Sequence, residues 1–260
     1  MKAVILAGGY GTRLRDVTQD IPKPMVPIGH RPILWHIMQT YAQHGVKDFI
    51  ICLGYKSDDI KNYFMNYKSN QSDLTLDLKS GEATYHGGND TEDWRITFAQ
   101  TGLNSGTGER IRRIRDYIGE DEHFMLTYGD GVGDIDITAL LEFHKSHGKT
   151  MTVTGVRPPG RFGDLDLEGD NVRGFNEKPQ AHDGRISAGF FVCNKNLFDY
   201  LPDDQPDHML ERQPFNDIVK DQGMMIYRHD GFWMPMDTSR DYQYLNDLWR
   251  EGNAPWKVWS

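Results

Sequence analysis

Short apolar runs recur along the chain and indicate β-strands, with amphipathic segments between the first of them. The runs predict strands at residues 3–7, 48–54, 123–129, 149–156, 186–194 and 224–229. Between the first two, residues 32–45 repeat apolar side chains such as Ile33 and Ile37 at helical spacing, and Gly45 supplies a stop. Strands that alternate with helices predict an α/β fold, a Rossmann-like three-layer sandwich around a mixed, mostly parallel sheet.

Residues 66–107 interrupt this alternation. A polar alternating stretch (LTLDL), a loop (HGGNDTED) and a second alternating stretch (WRITFAQ) predict an antiparallel hairpin inserted at the edge of the sheet. Helical spacing returns at 109–119, where three isoleucines lie on one face.

The last third of the chain adds strands around 172–176 and 224–234, and then a closing helix from Ser239 to about Glu251. Thr238 is the predicted cap of that helix. No linker or repeat is visible, so we expect a single domain over residues 1–260, with an inserted hairpin region at about 66–107 and a helical appendage at about 238–260. The aromatic end APWKVWS offers apolar surface that needs a partner or the body of the domain.

Composition excludes several classes of protein. A chain of 260 residues with 38% hydrophobic residues can fill a core, and its net charge of −9 gives no reason to expect nucleic acid as a partner. The apolar run at the start is too short for a signal peptide, and no run has the length of a membrane span. Cys52 and Cys193 lie in apolar runs without metal-ligand spacing, which predicts buried free thiols. We expect a cytoplasmic protein with no membrane partner.

The glycine-rich stretch LAGGYGTRL, residues 6–14, follows the first predicted strand, where backbone amides can point at an anion. It is not a P-loop, because no Gly-Lys-Ser/Thr follows, and it is not a dinucleotide fingerprint, because Leu14 stands where a third small residue must pack. Arg13 and Lys23, the latter between two prolines in IPKPM, are two cations that could hold a triphosphate. The alternative is a tight turn with two solvated cations.

Five separated motifs then occur in order: LAGGYGTRL with PKPM, YGDGV, the EKP of FNEKP, and the PMDT of FWMPMDTSRD. Together they resemble the sugar-phosphate nucleotidylyltransferases, which join a sugar 1-phosphate to a nucleoside triphosphate and release pyrophosphate. PPGRFGDLD, GFFV and the ending APWKVW are similar to the cytidylyltransferases of this family that act on glucose 1-phosphate. The likeness runs from residue 1 to 260 and is weakest at about 66–100. It implies CTP and a sugar 1-phosphate as partners, and a homo-oligomer, with a hexamer among the candidates.

The resemblance and the glycine-rich loop together predict which residues bind the nucleotide and which take part in catalysis. The catalytic residues are Arg13, Lys23 and Asp130. The nucleotide-binding residues are Leu6, Ala7, Gly8, Gly9, Tyr10, Gly11, Thr12, Arg13, Lys23, Thr107 and Arg110. Residues 101–113 offer small hydroxyls and basic side chains to a base, and the choice of CTP follows from the resemblance.

Two carboxylates are candidate metal ligands. Asp130 follows an apolar strand between two glycines, and Asp237 also stands at a strand end, before the closing helix. Ligands bind at the carboxyl ends of strands in α/β sheets, so these aspartates could hold one divalent ion, and the resemblance implies Mg²⁺. For Asp237 a helix cap is the alternative.

Further acidic and imidazole side chains have structural explanations. Asp134 and Asp136 are predicted to cap the helix ITALLEFHKSHG. His144 and His147 are three residues apart on that helix, which we expect to be a solvated face rather than a metal site.

The resemblance places Glu177 and Lys178 at the sugar phosphate, whereas alone they would suggest a surface ion pair. We expect Gly189 to allow a close approach in the same pocket and Trp233 to form an apolar wall. One departure concerns the sugar: glucose-type cytidylyltransferases usually have Asn-Gly-Gly before the Phe-Phe, and this chain has Ser187-Ala188-Gly189. Without the side-chain amide of that Asn, the site offers a sugar hydroxyl a different set of hydrogen-bond donors and acceptors. Such hydrogen bonds are how a binding site distinguishes one sugar from another. Two alternatives stay open, a uridylyl or thymidylyl transferase and a non-catalytic nucleotide-sensing homologue.

Overall fold

The computed structural model describes residues 1–11, 14, 21–87, 91–158, 184–203 and 208–259, and the backbone of 164–168 and 171–176. The strands are β1 (Lys2–Leu6), β2 (Pro27–Ile28), β3 (Arg31–Pro32), β4 (Asp48–Leu53), β5 (Asp73–Leu76), β6 (Ala83–His86), β7 (Arg95–Gln100), β8 (His123–Tyr128), β9 (Gly131–Gly133), β10 (Met151–Val156), β11 (Asp164–Glu168), β12 (Asn171–Asn176), β13 (Ile186–Asn194), β14 (Met224–His229) and β15 (Trp233–Pro235). The α-helices are α1 (Ile33–Gln43), α2 (Ser57–Met65), α3 (Tyr67–Gln71), α4 (Thr107–Arg113), α5 (Arg115–Ile118), α6 (Ile137–His147), α7 (Gln213–Lys220) and α8 (Ser239–Arg250). Short 3-10 helices lie at Lys23–Met25 and Lys195–Tyr200.

Seven strands form the central sheet in the order β14-β10-β13-β8-β1-β4-β7. All neighbours pair in parallel except β13, which runs antiparallel to both β8 and β10. This confirms the predicted mixed, mostly parallel sheet. The interior strand β1 is apolar at nearly every position, as expected for a strand with both faces covered.

Two apolar layers cover the sheet, one on each face. Ala3 and Ile5 of β1 face a core that includes residues of α1, α2, α6 and α8. Val4 and Leu6 face the opposite core, which includes residues of α4, α5 and α7. Successive strand residues point to opposite faces, so one strand serves both layers, and the three-layer sandwich is confirmed.

The hairpin region differs from the expectation in its pairing. β5 pairs with β6 in a separate antiparallel hairpin, whereas the stretch WRITFAQ forms β7, which lies parallel to β4 at the edge of the central sheet. The interpretation that made WRITFAQ an arm of the hairpin is wrong. An edge strand has one free side and partly exposed faces, so its polar alternation resembles that of a hairpin. Leu76 and Leu78 of the hairpin are exposed, and assembly into an oligomer stays a prediction.

The closing helix and the aromatic end belong to the body of the protein. Thr238 caps α8 as predicted: its hydroxyl accepts from the Asp241 amide, and the Asp241 carboxylate accepts from the Thr238 amide, a capping box. Trp256 is fully buried and stacks on Phe232, with its indole nitrogen donating to His36 Nδ1 at 3.4 Å. Within the described residues, no helix is long and apolar enough to span a membrane.

Helix α6 carries two findings. Asp136 caps it by accepting from the Ala139 amide at 2.9 Å, as predicted, whereas Asp134 instead accepts from His229. The expected solvated position of His144 is wrong, because the imidazole is fully buried and bonds to Thr152 and Asn194. His144 lies on the inner face of the helix, where polar residues of the sheet satisfy its hydrogen bonds. The spacing of residues along the helix does not reveal these partners.

Burial gives two histidines a pH-dependent role in stability. Desolvation lowers the pKa of His36 and of His144 to about 4, so both are neutral in the folded protein at pH 7. Between that value and the ordinary pKa of 6.5, the unfolded chain binds more protons than the folded one.

We therefore expect the stability to be full above pH 6.5 and to fall as the pH drops towards 4. Each histidine should contribute a loss of about 2 kcal/mol at pH 5 relative to pH 7.5. Urea unfolding at both pH values measures the change. The variant His144→Gln should lose less stability on acidification than the native protein does, and an equal loss in both would contradict the assignment.

Candidate active site

The carboxyl ends of the parallel strands gather the glycine-rich loop and Asp130 at one edge of the sheet. A larger cavity of about 480 Å³ opens there, and a smaller cavity of about 380 Å³ adjoins it. Tyr128, Asp130 and Asp237 line both cavities and form a shared wall. Two adjoining cavities that share a wall of carboxylates can hold two ligands whose ends come into contact at that wall.

The larger cavity collects most of the residues that were predicted for a nucleotide. It is lined by Leu6, Ala7, Gly8, Gly9, Tyr10, Gly11, Lys23, Thr107, Arg110, Asp130 and Asp237. The predicted Thr12, Arg13, Glu177 and Lys178 lie outside the described residues. Gly189 and Trp233, predicted for the sugar, line the smaller cavity.

The Lys23 ammonium lies between the two candidate metal ligands. Its Nζ is 2.6 Å from Asp130 Oδ2 and 2.6 Å from Asp237 Oδ1. The lysine side chain is only 12% exposed. Burial by itself would lower the pKa of Lys23, but the two carboxylates outweigh it and raise the pKa above its ordinary value. The lysine is therefore a charged ammonium in this structure.

A short ladder explains why two aspartates that are far apart in the chain converge. β9 begins one residue after Asp130, β15 ends two residues before Asp237, and the two strands pair antiparallel with Gly131 opposite Pro235. The Met236 amide also donates to the Asp130 carbonyl at 2.8 Å. Asp237 does not cap α8, because Thr238 does.

The same convergence fits a divalent cation. Two carboxylate oxygens that can approach one ammonium nitrogen can also approach one metal ion, and Mg²⁺ prefers one or two carboxylates together with water and phosphate oxygens. In the described part of the chain, no group of three or more His, Cys, Asp or Glu side chains could hold a metal. An ion at Asp130 and Asp237 would thus depend on oxygens from a ligand.

Arg110 has a different set of partners from the one expected. Its guanidinium is 5% exposed and donates to the carbonyls of Gly8, Leu53, Gly102 and Leu103, and to the Thr101 hydroxyl. The side chain thus ties together the loops that follow β1, β4 and β7. A Cβ on Gly8 would collide with this guanidinium, which is one reason for a glycine there. A contact of Arg110 with a nucleotide stays a prediction.

Thr107, also predicted for the nucleotide, bonds to a residue that the sequence analysis did not identify. Its hydroxyl donates to Glu211 Oε2 at 2.6 Å and accepts from the Leu210 amide at 2.9 Å. The Tyr128 hydroxyl donates to the other oxygen of the Glu211 carboxylate. Glu211 therefore connects the start of α4 to the shared wall of the two cavities.

The smaller cavity is shaped by Gly189 and Trp233. Gly189 has φ +75°, and a Cβ there would collide with the Tyr128 ring. The indole nitrogen of Trp233 donates to the Ala188 carbonyl at 2.8 Å, so the indole is fixed as a wall. Gly189 thus allows a close backbone approach and Trp233 provides a flat apolar surface, and the binding of a sugar by these residues stays a prediction.

Comparison with known proteins places this geometry in a family. The model of the family described as "Nucleotidyl transferase" matches residues 2–247. The chain belongs to the nucleotidyltransferase family. A glucose-1-phosphate cytidylyltransferase of Salmonella typhi is 49% identical over 260 residues, which cover 100% of both chains. The resemblance stated from the motifs is confirmed.

Solved structures agree with the fold. HddC from Yersinia pseudotuberculosis is 25% identical, with a TM-score of 0.66 over 95% of this chain and 99% of that one. A UTP-bound UGPase from Acinetobacter baumannii has a TM-score of 0.68 at 17% identity, covering 95% of this chain and 92% of that one, and at this identity it shows the fold alone.

Several residues that line the two cavities, or bond to their walls, were not singled out by the sequence analysis. Asn104 and Met209 line the larger cavity, and Asn104 Oδ1 accepts a hydrogen bond at 2.7 Å from the hydroxyl of Tyr10, which was predicted for the nucleotide. Tyr128 directly precedes Gly129 in the YGDGV motif, so its position was a usable signal. Asn104 lies within residues 101–113, which were expected near the base, whereas Glu211 carries no such signal, because only the folded chain brings it to the site.

Arg110→Lys should loosen the loops of the larger cavity. A lysine cannot replace the planar fork, and the freed buried carbonyls lower the free energy of unfolding by about 3 kcal/mol. The KM of the nucleotide should rise more than that of the second substrate. Thermal unfolding and steady-state kinetics measure both. Arg250→Lys on α8 is the control, because Arg250 is exposed and pairs with Asp247 at the surface instead. Equal effects of both substitutions would contradict the role of Arg110.

Proposed function

We propose that the protein transfers the cytidylyl group of CTP to glucose 1-phosphate, giving CDP-glucose and pyrophosphate. The observation that carries this proposal is the Lys23 ammonium between Asp130 and Asp237, at the wall shared by two substrate-sized cavities. The 49% identical relative over the full length is a glucose-1-phosphate cytidylyltransferase, which supports the choice of both substrates.

The two cavities divide the substrates between them. The larger one has the glycine-rich loop and Lys23 for the triphosphate and the loop at 103–107 for the base, and the smaller one has Gly189 and Trp233 for the sugar. The phosphate of the sugar and the α-phosphate of CTP then meet at the shared carboxylates. A sugar phosphate is already an anionic nucleophile, so alignment and charge screening are the main requirements.

Asp130 and Asp237 would hold a divalent cation, Mg²⁺ in this proposal, with phosphate oxygens completing its ligands. When bound, such an ion screens the charge that develops on the phosphate oxygens during displacement. Lys23 lies where the two carboxylates converge, so we expect the ammonium and the ion to compete for these oxygens. The freed ammonium is then next to the larger cavity, where it can bind the triphosphate.

Pyrophosphate release with each of CTP, UTP, dTTP and GTP against a panel of sugar 1-phosphates tests the function. We expect CTP with glucose 1-phosphate to give the highest kcat/KM. A preference for UTP or dTTP would make the protein a uridylyl or thymidylyl transferase. No release with any pair would overturn the proposal and favour a nucleotide sensor.

Asp130→Asn should leave the fold intact and lower kcat by at least about 10²-fold, because the neutral amide no longer balances a cation at this position. Circular dichroism checks the fold, and pyrophosphate release measures the turnover. Asp59→Asn, at an exposed position of α2, is the matched control and should keep full activity. Normal turnover in Asp130→Asn would exclude this carboxylate from the reaction.

Lys23→Met separates the two roles of the lysine. Methionine has a similar shape without charge, so it no longer competes for the carboxylates, and the affinity for Mn²⁺ without nucleotide should rise about tenfold or more. Turnover should nevertheless fall, because the triphosphate loses its ammonium. Calorimetric titration with Mn²⁺ measures the affinity, and an unchanged value would mean that Lys23 does not compete with the ion.

A further inference from the structure

Glu211 connects two hydroxyls of the active site. Its Oε2 accepts from the Thr107 hydroxyl at 2.6 Å, and its Oε1 accepts from the Tyr128 hydroxyl. Thr107 begins α4 and Tyr128 ends β8, and both residues line the larger cavity. Glu211 itself is not among the described residues that line this cavity. The carboxylate therefore acts on a ligand there through the two hydroxyls.

The backbone around Glu211 packs against the start of α4. The Glu109 amide donates to the His208 carbonyl at 3.3 Å, and the Leu210 amide donates to the Thr107 hydroxyl oxygen at 2.9 Å. The Leu210 side chain is fully buried. These contacts hold the segment in place next to Thr107, although the Glu211 side chain itself is exposed.

The chemistry of the groups fixes the direction of both hydrogen bonds. An ionised carboxylate only accepts, whereas a hydroxyl has one hydrogen to donate and lone pairs with which to accept. Burial, and next the negative charge of Glu211, raise the pKa of Tyr128 above its ordinary value, so the phenol keeps its hydrogen. The hydrogens of Thr107 and Tyr128 are both donated to Glu211. Each hydroxyl can then only accept a hydrogen bond from a ligand.

The larger cavity thus contains groups of opposite polarity. Lys23 offers it an ammonium, whereas Thr107 and Tyr128 offer it acceptors that are bonded to a carboxylate. Phosphate oxygens are themselves acceptors with negative charge, so this carboxylate and its hydroxyls disfavour them. The nucleoside of CTP carries donors instead: the 4-amino group of cytosine and the two ribose hydroxyls.

We propose that Glu211 is a positioning residue for the nucleotide: it fixes the Thr107 and Tyr128 hydroxyls as acceptors, which bind an N–H or O–H donor of the nucleoside. The phosphates are thereby directed to Lys23, where they meet a cation instead of acceptors. The donor is the 4-amino group of cytosine or a ribose hydroxyl, and the experiments distinguish these sources. This inference rests on the proposed function, since it concerns how the same site binds CTP.

Glu211→Gln reverses part of this polarity at nearly the same size and shape. The glutamine amide has one accepting oxygen and one donating nitrogen, so one of the two hydroxyls must accept from it and turn its own hydrogen elsewhere. We expect the Kd of CTP to rise about tenfold, the loss of one hydrogen bond to the ligand. Calorimetry with Mg²⁺ and without a sugar phosphate measures this binding, because no transfer occurs under those conditions.

Inorganic tripolyphosphate separates the phosphates from the nucleoside. It carries no nucleoside donor, so its Kd should not rise in Glu211→Gln. Glu142→Gln, at an exposed position of α6, is the matched control and should leave the Kd of both ligands unchanged. An equal rise for CTP and for tripolyphosphate would overturn the proposal, as would an unchanged Kd of CTP.

A double variant distinguishes positioning from a purely structural role of Glu211. In Thr107→Val combined with Tyr128→Phe both hydroxyls are absent, so Glu211→Gln should cause no further rise in the Kd of CTP. A further rise of the same size would mean that Glu211 acts by another route, which contradicts the proposal. Thermal unfolding checks that the variants fold. If the double variant does not fold, Tyr128→Phe alone is the background, in which the effect of Glu211→Gln should be smaller.

Two analogues of CTP identify the donor. UTP lacks the 4-amino group, and 2′-deoxy-CTP lacks the 2′-hydroxyl. The analogue whose Kd no longer rises in Glu211→Gln is the one that lacks the donor, and a rise that persists with both assigns the donor to the 3′-hydroxyl.

Binding and turnover separate this inference from the proposed function. Absence of pyrophosphate release from CTP with the native protein would count against the proposed function, whereas the comparison of CTP with tripolyphosphate still decides the role of Glu211. Absence of CTP binding to the native protein would overturn both.

Discussion

The ion pairs of Lys23 with Asp130 and Asp237 are the interaction on which the site depends. Two carboxylates at one point repel each other, and the ammonium between them removes that repulsion. The lysine is held in turn by its 3-10 helix, whose buried Pro24 packs so closely under Gly129 that a Cβ there would lie 3.2 Å from it. Three segments from the start, middle and end of the chain are thereby joined at the wall between the two cavities.

Strand order explains why the cavities lie in a row. β1 and β8 place their carboxyl ends at the larger cavity, β7 contributes the loop that follows it, and β8 with the antiparallel β13 encloses the smaller cavity. Because β13 runs in the opposite direction, it brings its first residues to this edge, Gly189 included. The antiparallel strand β13 thus lines the smaller cavity with the residues at its beginning, whereas the parallel strands bring their last residues to this edge.

Sequence patterns predicted what depends on local burial and missed what depends on distant pairing. Strands such as β13 and β14 have the predicted bounds, and the caps Asp136 and Thr238 are where their residue types indicated. The parallel pairing of WRITFAQ was missed because an edge strand alternates like a hairpin arm.

The site was predictable to a similar degree. Asp130, Asp237 and Lys23 could be predicted from their motifs, but the β9–β15 ladder that joins the two aspartates leaves no mark in the spacing of residues. Arg110 illustrates the limit: a basic side chain beside a phosphate loop suggests an anion contact, and its burial among carbonyls becomes visible only in the fold.

The acidic net charge of the protein is compatible with two anionic substrates, because salt screens the repulsion between the substrates and distant acidic side chains on the surface. At physiological ionic strength charges act over about 8 Å, so the remaining acidic surface has little influence inside the cavities. Within that range the nearest charges decide the balance. At the shared wall one ammonium faces two carboxylates, which leaves the point negative until a cation arrives. Such a wall repels phosphate oxygens and attracts a metal ion, so we expect ion and triphosphate to bind together rather than separately.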